Sequence, residues 1–166
     1  MMDFQLWEEE LKTIWNQLGK IPDTDFIDRI KTHTDKITDD QPNAIADFEK
    51  ACAYDSTGFE KNAEPLYRSA LETGLSGLRR RRARIQLAST LRNNGKFHES
   101  IEILREEKEN YSDELNDAVN AFLALSLSSV NNDKEALSLV LESLAAHLPR
   151  YNKSVYNYSK ELIKQN

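Results

Sequence analysis

The chain has 166 residues, of which 39% are hydrophobic and 30% are charged, and its formal net charge at pH 7 is −6. This length suits one compact domain, and an excess of 16 acidic over 8 basic residues in the first 74 positions argues against nucleic acid or an anionic membrane as a partner. Cys52 is the single cysteine and no apolar run reaches the roughly 18 residues of a membrane span, so we expect a cytoplasmic protein without disulfides or a membrane partner.

The first two elements are predicted to be helices. Apolar residues at helical spacing indicate a helix from about Phe4 to Leu18, and Pro22 fits the first turn of a second helix. This second helix carries the apolar residues Phe26, Ile27, Ile30 and Ile37. A polar break follows at 39–43. Residues 1–41 are therefore predicted to be an amino-terminal helix pair, a degenerate copy of the repeat that follows.

A pattern that occurs three times begins beyond the break. Its turns are centred on Gly58, Gly95 and Asn131, which lie 37 and 36 residues apart and suit a left-handed backbone at a helix end. Before each turn, a small residue is followed three positions later by a larger apolar one, in the pairs Ala51/Tyr54, Ala88/Leu91 and Ala124/Leu127. After each turn the corresponding pairs, four positions apart, are Ala63/Tyr67, Ser100/Leu104 and Ala136/Val140. Small residues let two helices approach closely, and the large ones are expected to fill the seam between neighbouring pairs.

This periodicity, together with the scarcity of strand signals, predicts an all-α fold. We expect a superhelix of antiparallel helix pairs, with about nine helices, in a single domain over residues 1–166. The repeats are predicted at 44–77, 81–114 and 117–148, and a capping helix at 149–166.

Two prolines refine this prediction. Pro65 lies inside a predicted helix and should kink it or delay its start. Pro149 should separate the last repeat from the capping helix. The face predicted to cover the last pair consists of Tyr151, Val155, Tyr158 and Leu162.

Four segments carry a resemblance to a known family: AEPLYRSAL at 63–71, QLASTLRN at 86–93 followed by Gly95, AFLAL at 121–125 and LPRY at 148–151. On these segments the chain, from about Ala44 to Tyr158, resembles the tetratricopeptide repeat group 5 domain of small bacterial proteins. It departs from the general repeat at Glu107, where alanine is usual. The resemblance implies a helical superhelix that binds another protein and no known reaction.

The resemblance also implies that the first helix of each pair lines a concave groove. The corresponding candidates are Phe48, Cys52 and Asp55 in the first copy, Arg82, Ile85, Ser89 and Arg92 in the second, and Ala121, Leu125 and Ser128 in the third. Arg82 and Arg92 are expected to hold carboxylates of a peptide, with apolar contacts from Phe48, Ile85 and Leu125. The alternative is that these side chains only pack or pair within the domain.

Catalytic and metal-binding patterns are absent from the sequence. The three histidines, His33, His98 and His147, lie far apart and are expected on the surface. There is no phosphate-binding loop, nucleophile elbow or His-Glu-x-x-His motif. We therefore predict that the protein is not an enzyme and needs no metal or cofactor.

The run Arg79–Arg84, interrupted only by Ala83, is the most unusual local feature. It is either a binding surface for phosphate or acidic peptide, or a set of arginines that point in several directions and pair with the acidic first half. Three functions follow. The leading one is a scaffold or adaptor that binds a protein or peptide in the groove. The alternatives are a self-associating homodimer formed through the Phe4–Leu18 helix, and a weak polyanion or nucleic-acid binder that uses Arg79–Arg84.

Overall fold

The computed structural model describes residues 3–37 and 43–164. Over these ranges the chain forms nine helices and no strand, which confirms the predicted all-α class and helix count. The predicted break at 39–43 lies almost wholly outside the described residues. The helices are α1 Phe4–Trp15, α2 Asp23–Thr34, α3 Asn43–Ser56, α4 Glu60–Glu72, α5 Gly77–Asn93, α6 Phe97–Asn110, α7 Asn116–Ser128, α8 Asp133–His147 and α9 Asn152–Leu162.

Internal contacts divide the chain into two compact units, Met1–Thr90 (unit 1) and Leu91–Asn166 (unit 2). The boundary falls within α5, inside the repeat predicted at 81–114. The single domain and the repeat boundaries stay predictions.

Unit 1 begins with a helix pair whose apolar faces meet. Asp3 caps α1, because its carboxylate accepts the backbone N–H groups of Gln5 and Leu6. The core of the pair consists of Trp7, Leu11, Phe26, Ile27 and Ile30, and Ala53 of α3 completes this cluster. α1 ends at Trp15 rather than near Leu18.

The expected surface position of His33 is wrong. Its ring is 3% exposed and stacks on Trp7, with 5.0 Å between the ring centroids. His33 Nε2 donates to the Trp7 carbonyl oxygen at 2.9 Å, and Trp7 Nε1 donates to the His33 carbonyl oxygen at 3.2 Å. These reciprocal hydrogen bonds join α1 to α2, and the other ring nitrogen of His33, Nδ1, lies 3.6 Å from a carboxylate oxygen of Glu10. The buried polar groups of both rings therefore have partners.

The three repeat turns adopt one conformation. The φ angles are 81° at Gly58, 79° at Gly95 and 62° at Asn131, so the predicted left-handed backbone is confirmed at all three. After each turn, the next N–H returns to a carbonyl oxygen five residues earlier, in the pairs Phe59–Tyr54, Lys96–Leu91 and Asn132–Leu127, at 2.9, 2.8 and 3.0 Å. These bonds close the end of one helix, and the second helix of the pair starts one residue later.

Pro65 does not delay its helix. α4 begins at Glu60 and continues through Pro65 to Glu72, so the expectation of a late start is wrong. Pro65 itself is exposed. Pro65 removes the intrahelical bond to the Lys61 carbonyl oxygen, but both residues are exposed, so water can solvate that oxygen and the loss is small.

In unit 2, α6 packs on α7, α7 on α8, and α8 on α9. Small residues allow close approach: the Ser100 and Ser126 hydroxyls lie 2.8 Å apart, and both side chains are fully buried. The largest fully buried side chains of this unit are Leu91, Leu104, Glu107, Val119, Leu123 and Leu127.

The capping face predicted for α9 is wrong at its two tyrosines, whereas Val155 and Leu162 are half-buried. Tyr151 and Tyr158 are 75% and 63% exposed, whereas Ser159 is fully buried and its carbonyl oxygen accepts the Ser138 hydroxyl at 2.7 Å. Lys160 pairs with Glu142 at 2.7 Å. Helical spacing alone does not show which of two adjacent faces of α9 is buried. Ser159 is small, so the face that carries it can approach α8 more closely than the face that carries Tyr158.

Candidate functional site

A cavity of about 310 Å³ lies in unit 1 among α1, α3 and α5, the first helices of three consecutive pairs. Its walls are formed by Glu8, Leu11, Lys12, Trp15, Glu49, Cys52, Ser56, Arg79, Arg82 and Gln86. A neighbouring cavity of about 360 Å³ shares Arg79 and Arg82. The sequence resemblance implied a groove lined by first helices, and this part of unit 1 has that arrangement.

Arg79 neutralises the acidic side of the cavity. Its Nη2 atom donates to both carboxylate oxygens of Glu8, at 2.8 and 2.7 Å, and its Nε atom donates to Glu49 Oε1 at 3.1 Å. Trp15 Nε1 donates to the other Glu49 oxygen at 2.9 Å. Glu49 is only 4% exposed, and these donors compensate the burial of its carboxylate. Arg79 is therefore engaged in ion pairs with two glutamates of unit 1.

Arg82 is the cation that this network leaves available. Its side chain is exposed, and its guanidinium carbon lies 5.3 Å from the centroid of the Phe48 ring, a cation–π contact. Among the described residues, Arg82 has no hydrogen bond or ion pair. The exposed Lys12 lines the same cavity. The cavity thus presents positive charge to a ligand although acidic residues form part of its wall.

Two of the predicted groove residues are not accessible. Phe48 is fully buried, where its ring centroid lies 6.3 Å from that of Tyr67, and Ile85 is 4% exposed. Both side chains pack inside the unit, which favours the alternative that they only pack within the domain. Ser89 is half-buried on α5.

Asp55 and Cys52 belong to a polar network beside the cavity. Asp55 accepts hydrogen bonds from the Tyr67 hydroxyl at 3.3 Å and from the Thr90 hydroxyl at 3.1 Å. Burial raises the pKa of Asp55 above its usual range, against the lowering effect of these two bonds. Burial, assisted by the charge of Glu49, also raises the pKa of Cys52 to about 12. At neutral pH the thiol is therefore protonated and a poor nucleophile.

Arg92 is occupied within unit 2. Its Nε atom donates to the Leu125 carbonyl oxygen at 3.2 Å and to the Ser129 hydroxyl at 3.1 Å, which ties the end of α5 to α7. These bonds favour the alternative that Arg92 only pairs within the protein. The predicted residues Leu125 and Ser128 are exposed and line an apolar groove of about 480 Å³ between α7 and α8. The remaining lining residues are Ala121, Ala124, Asp133, Ala136, Leu137 and Val140.

The arginine run does not form one cationic surface. Arg79 pairs with Glu8 and Glu49, Arg81 is 3% exposed, and Arg82 is the one arginine of the run whose side chain is exposed. Arg80 and Arg84 are half-buried and also have partners. The interpretation that these side chains point in several directions, some toward acidic residues of the first half, is confirmed.

Residues 3–37 and 43–164 contain neither a cluster of metal ligands nor a membrane-spanning helix. No three His, Cys, Asp or Glu side chains lie close enough together there to hold a metal ion. None of the helices in these ranges is both long and apolar enough to cross a membrane.

Sequence reasoning missed the contribution of α1 to the cavity. Glu8 and Arg79 are 71 residues apart, and Trp15 is 34 residues from Glu49. A run of three glutamates at 8–10 looks like a solvated helix face, and no local pattern separates the one that pairs with Arg79 from its neighbours. From the sequence, the pairing of Arg79 with Glu8 and Glu49 was predictable only as a general expectation that arginines of the run would pair with the acidic first half of the chain.

The family model described as Tetratrico peptide repeat matches residues 44–162, from the first turn of α3 to the last residue of α9. No curated protein and no solved structure matches the chain.

Proposed function

This chain belongs to the tetratricopeptide repeat family, and on that premise we propose that it is a non-enzymatic scaffold that binds a protein or peptide along the first helices of its pairs. The observation that carries this proposal is the exposed guanidinium of Arg82 at the cavity formed by α1, α3 and α5. Lys12 adds a second cation to the same walls. The family supports a binding role, and the cavity supports its location.

The chemistry of the cavity favours an acidic segment as the ligand. Glu8 and Glu49 are already paired with Arg79, so they add little repulsion, while Arg82 keeps its donors for a carboxylate. The Phe48 ring beneath Arg82 restricts its motion, which reduces the entropy lost when a ligand binds. Trp15 and Leu11 supply apolar wall. We propose a segment with acidic and apolar side chains that lies across these helices.

Arg82→Ala tests this proposal, with Arg29→Ala as the matched control. Arg29 is exposed in the same unit, where it pairs with Gln17, but it is not part of the cavity wall. Proteins captured by the wild-type chain are identified by mass spectrometry, and the bound segment is then synthesised and its affinity measured by isothermal titration calorimetry. We expect Arg82→Ala to weaken binding about tenfold or more, the value of one charge-assisted hydrogen bond, and Arg29→Ala to leave it unchanged. Equal affinities for wild type and Arg82→Ala would refute the proposed site.

We also propose a cytoplasmic location in a bacterium. The location follows from the single cysteine, Cys52, which is buried and needs no oxidising compartment. The bacterial source follows from the family that the sequence resembles. Fractionation of cells that express the chain would test the location.

A further inference from the structure

Gln86 lines the cavity of unit 1 with only one end of its carboxamide engaged. Its Oε1 atom accepts a hydrogen bond from the Cys52 thiol at 3.5 Å, whereas its Nε2 atom has no partner among the described residues. The side chain is half-buried, and no fully buried side-chain nitrogen or oxygen in the described ranges lacks a partner. The Nε2 atom is therefore accessible, and its two N–H donors remain for a ligand in the cavity.

Cys52 of α3 determines which end of this carboxamide faces the cavity. Burial raises the pKa of its thiol, so the sulfur keeps its hydrogen at neutral pH and can donate it to Gln86 Oε1. The same sulfur accepts a hydrogen bond from the Tyr67 hydroxyl at 3.6 Å. A carboxamide turned the other way would exchange the S–H···O bond for an N–H···S contact with a sulfur that already accepts from Tyr67. The thiol therefore holds the oxygen of Gln86 and leaves the NH2 group toward the cavity.

A second set of unused donors lies beside Gln86. Arg82 precedes it by four residues on α5, so the two side chains share one face of the helix and are about 6 Å apart along its axis. Both line the cavity. Arg82 has no hydrogen bond or ion pair in the described part of the chain, while the acidic wall residues Glu8 and Glu49 pair with Arg79. This face of α5 therefore presents two adjacent groups that only donate hydrogen bonds.

Two adjacent donor groups suit a carboxylate better than a carboxamide of the same shape. A carboxylate has two oxygens that only accept, so one can bind the Arg82 guanidinium and the other the Gln86 NH2 group. A carboxamide has a single oxygen, and its own NH2 group would meet a donor at the second position. This donor–donor contact leaves polar groups unpaired, which costs binding free energy. The orientation of Gln86 therefore adds a preference that the charge of Arg82 alone does not supply.

We infer that Gln86 is a specificity-determining residue of the proposed ligand site, where it donates to the carboxylate that Arg82 binds, and that Cys52 is its positioning residue. This inference rests on the proposed function and deepens it, because it names the group that the cavity selects: a side-chain carboxylate of the peptide, in preference to the corresponding carboxamide. Cys52 acts through Gln86, since its thiol is committed to the carboxamide oxygen. A hydroxyl in its place would still donate to that oxygen, whereas a methyl group would leave the carboxamide free to turn.

The test compares two peptides that differ only in this group. The probes are an acetylated, amidated hexapeptide of alternating leucine and aspartate and the same peptide with asparagine for aspartate, titrated into the labelled chain and followed by NMR. The ratio of their affinities should fall about tenfold in Gln86→Met, the value of one hydrogen bond to a charged group, and about threefold in Cys52→Ala, which loses only the preorganisation. Cys52→Ser should keep the wild-type ratio, as should the control Gln5→Met, which alters an exposed glutamine outside the cavity wall. Circular dichroism verifies that each variant remains helical.

The side-chain NH2 signals of Gln86, assigned by their loss in Gln86→Met, should also shift when the aspartate peptide binds. Signals that stay in place, or a Gln86→Met variant with the wild-type affinity ratio, overturn the inference. The proposed function survives that result if Arg82→Ala still weakens the aspartate peptide. A wild-type ratio in Cys52→Ala, or equal falls in Cys52→Ala and Cys52→Ser, refutes the positioning role. An aspartate peptide that does not bind the wild-type chain refutes the acidic ligand and this inference together.

Discussion

The cavity of unit 1 lies among the first helices of three helix pairs, the apolar groove of unit 2 lies between the two helices of one pair, and the two differ in chemistry. In the cavity, Glu8, Glu49 and Arg79 satisfy one another and leave Arg82 available. The groove is formed by alanines and exposed aliphatic side chains, with Asp133 as its one charged lining residue. The repeat specifies only the packing positions, so the residues between them are free to create an electrostatic site in one unit and an apolar one in the other.

The largest effect is expected from breaking the charge network of the cavity. Arg79→Met should lower the free energy of unfolding by about 4 kcal/mol, because it leaves the buried Glu49 without its cation. Arg105→Met, which removes a pair with Glu135 in unit 2, should cost less than about 1 kcal/mol, since both partners are substantially exposed. Urea unfolding followed by circular dichroism measures both. Equal losses of unfolding free energy would mean that the charge network of the cavity stabilises the fold no more than a surface ion pair does.

Equivalent positions of two repeats provide a sharper test of the groove. Leu104→Ala should destabilise the chain by about 3 kcal/mol, because a fully buried side chain leaves a cavity. Val140→Ala should cost less than about 1 kcal/mol, since Val140 is 44% exposed. The measurement is again urea unfolding. A loss at Val140 as large as that at Leu104 would show that the Val140 side chain is covered in the folded chain.

The smallest effect concerns pH. Burial raises the pKa of Asp55 above its ordinary value of 3.8, more than its hydrogen bonds from Thr90 and Tyr67 lower it. An acid whose pKa is higher in the folded state binds its proton more tightly there, so the stability it contributes at low pH is lost as the pH rises from 3.8 through the raised pKa. Asp55→Asn does not titrate.

The stability of Asp55→Asn relative to wild type should therefore increase across that pH window, by about 1.4 kcal/mol for each pH unit by which folding raises the pKa of Asp55, and its relative melting temperature should rise accordingly. Differential scanning fluorimetry of both chains at several pH values measures this difference. A difference that does not change with pH would show that Asp55 has the same pKa in the folded and unfolded chain.

The helices and their turns were predictable because their signals are local. Gly58, Gly95 and Asn131 end helices in the left-handed conformation that their residue types suggest. The face of α9 was not predictable: Tyr151 and Tyr158 have the spacing of a buried stripe, but Ser159 permits the closer contact. Hydrophobic periodicity identifies a helix, while the side that is buried depends on the shape of the element it meets.

The candidate site was predictable in the same partial way. Arg82 was identified, and the structure exposes it at a cavity, whereas Phe48 and Ile85 are buried and Arg92 is occupied by Leu125 and Ser129. Alignment to a repeat places a residue on a helix, but neighbouring positions differ by about 100° in direction. A small error in the predicted direction of a side chain therefore assigns a buried core residue to the groove.

Local patterns specify the nine helices of the described residues, the turn at each repeat and membership of a repeat family, because backbone conformation and amphipathic spacing depend on residues close in sequence. Packing in three dimensions selects the partners. It joins Glu8 to Arg79, buries His33 against Trp7 and leaves Val140 exposed where Leu104 is covered. Such pairings depend on distances between residues far apart in sequence, which no local pattern encodes.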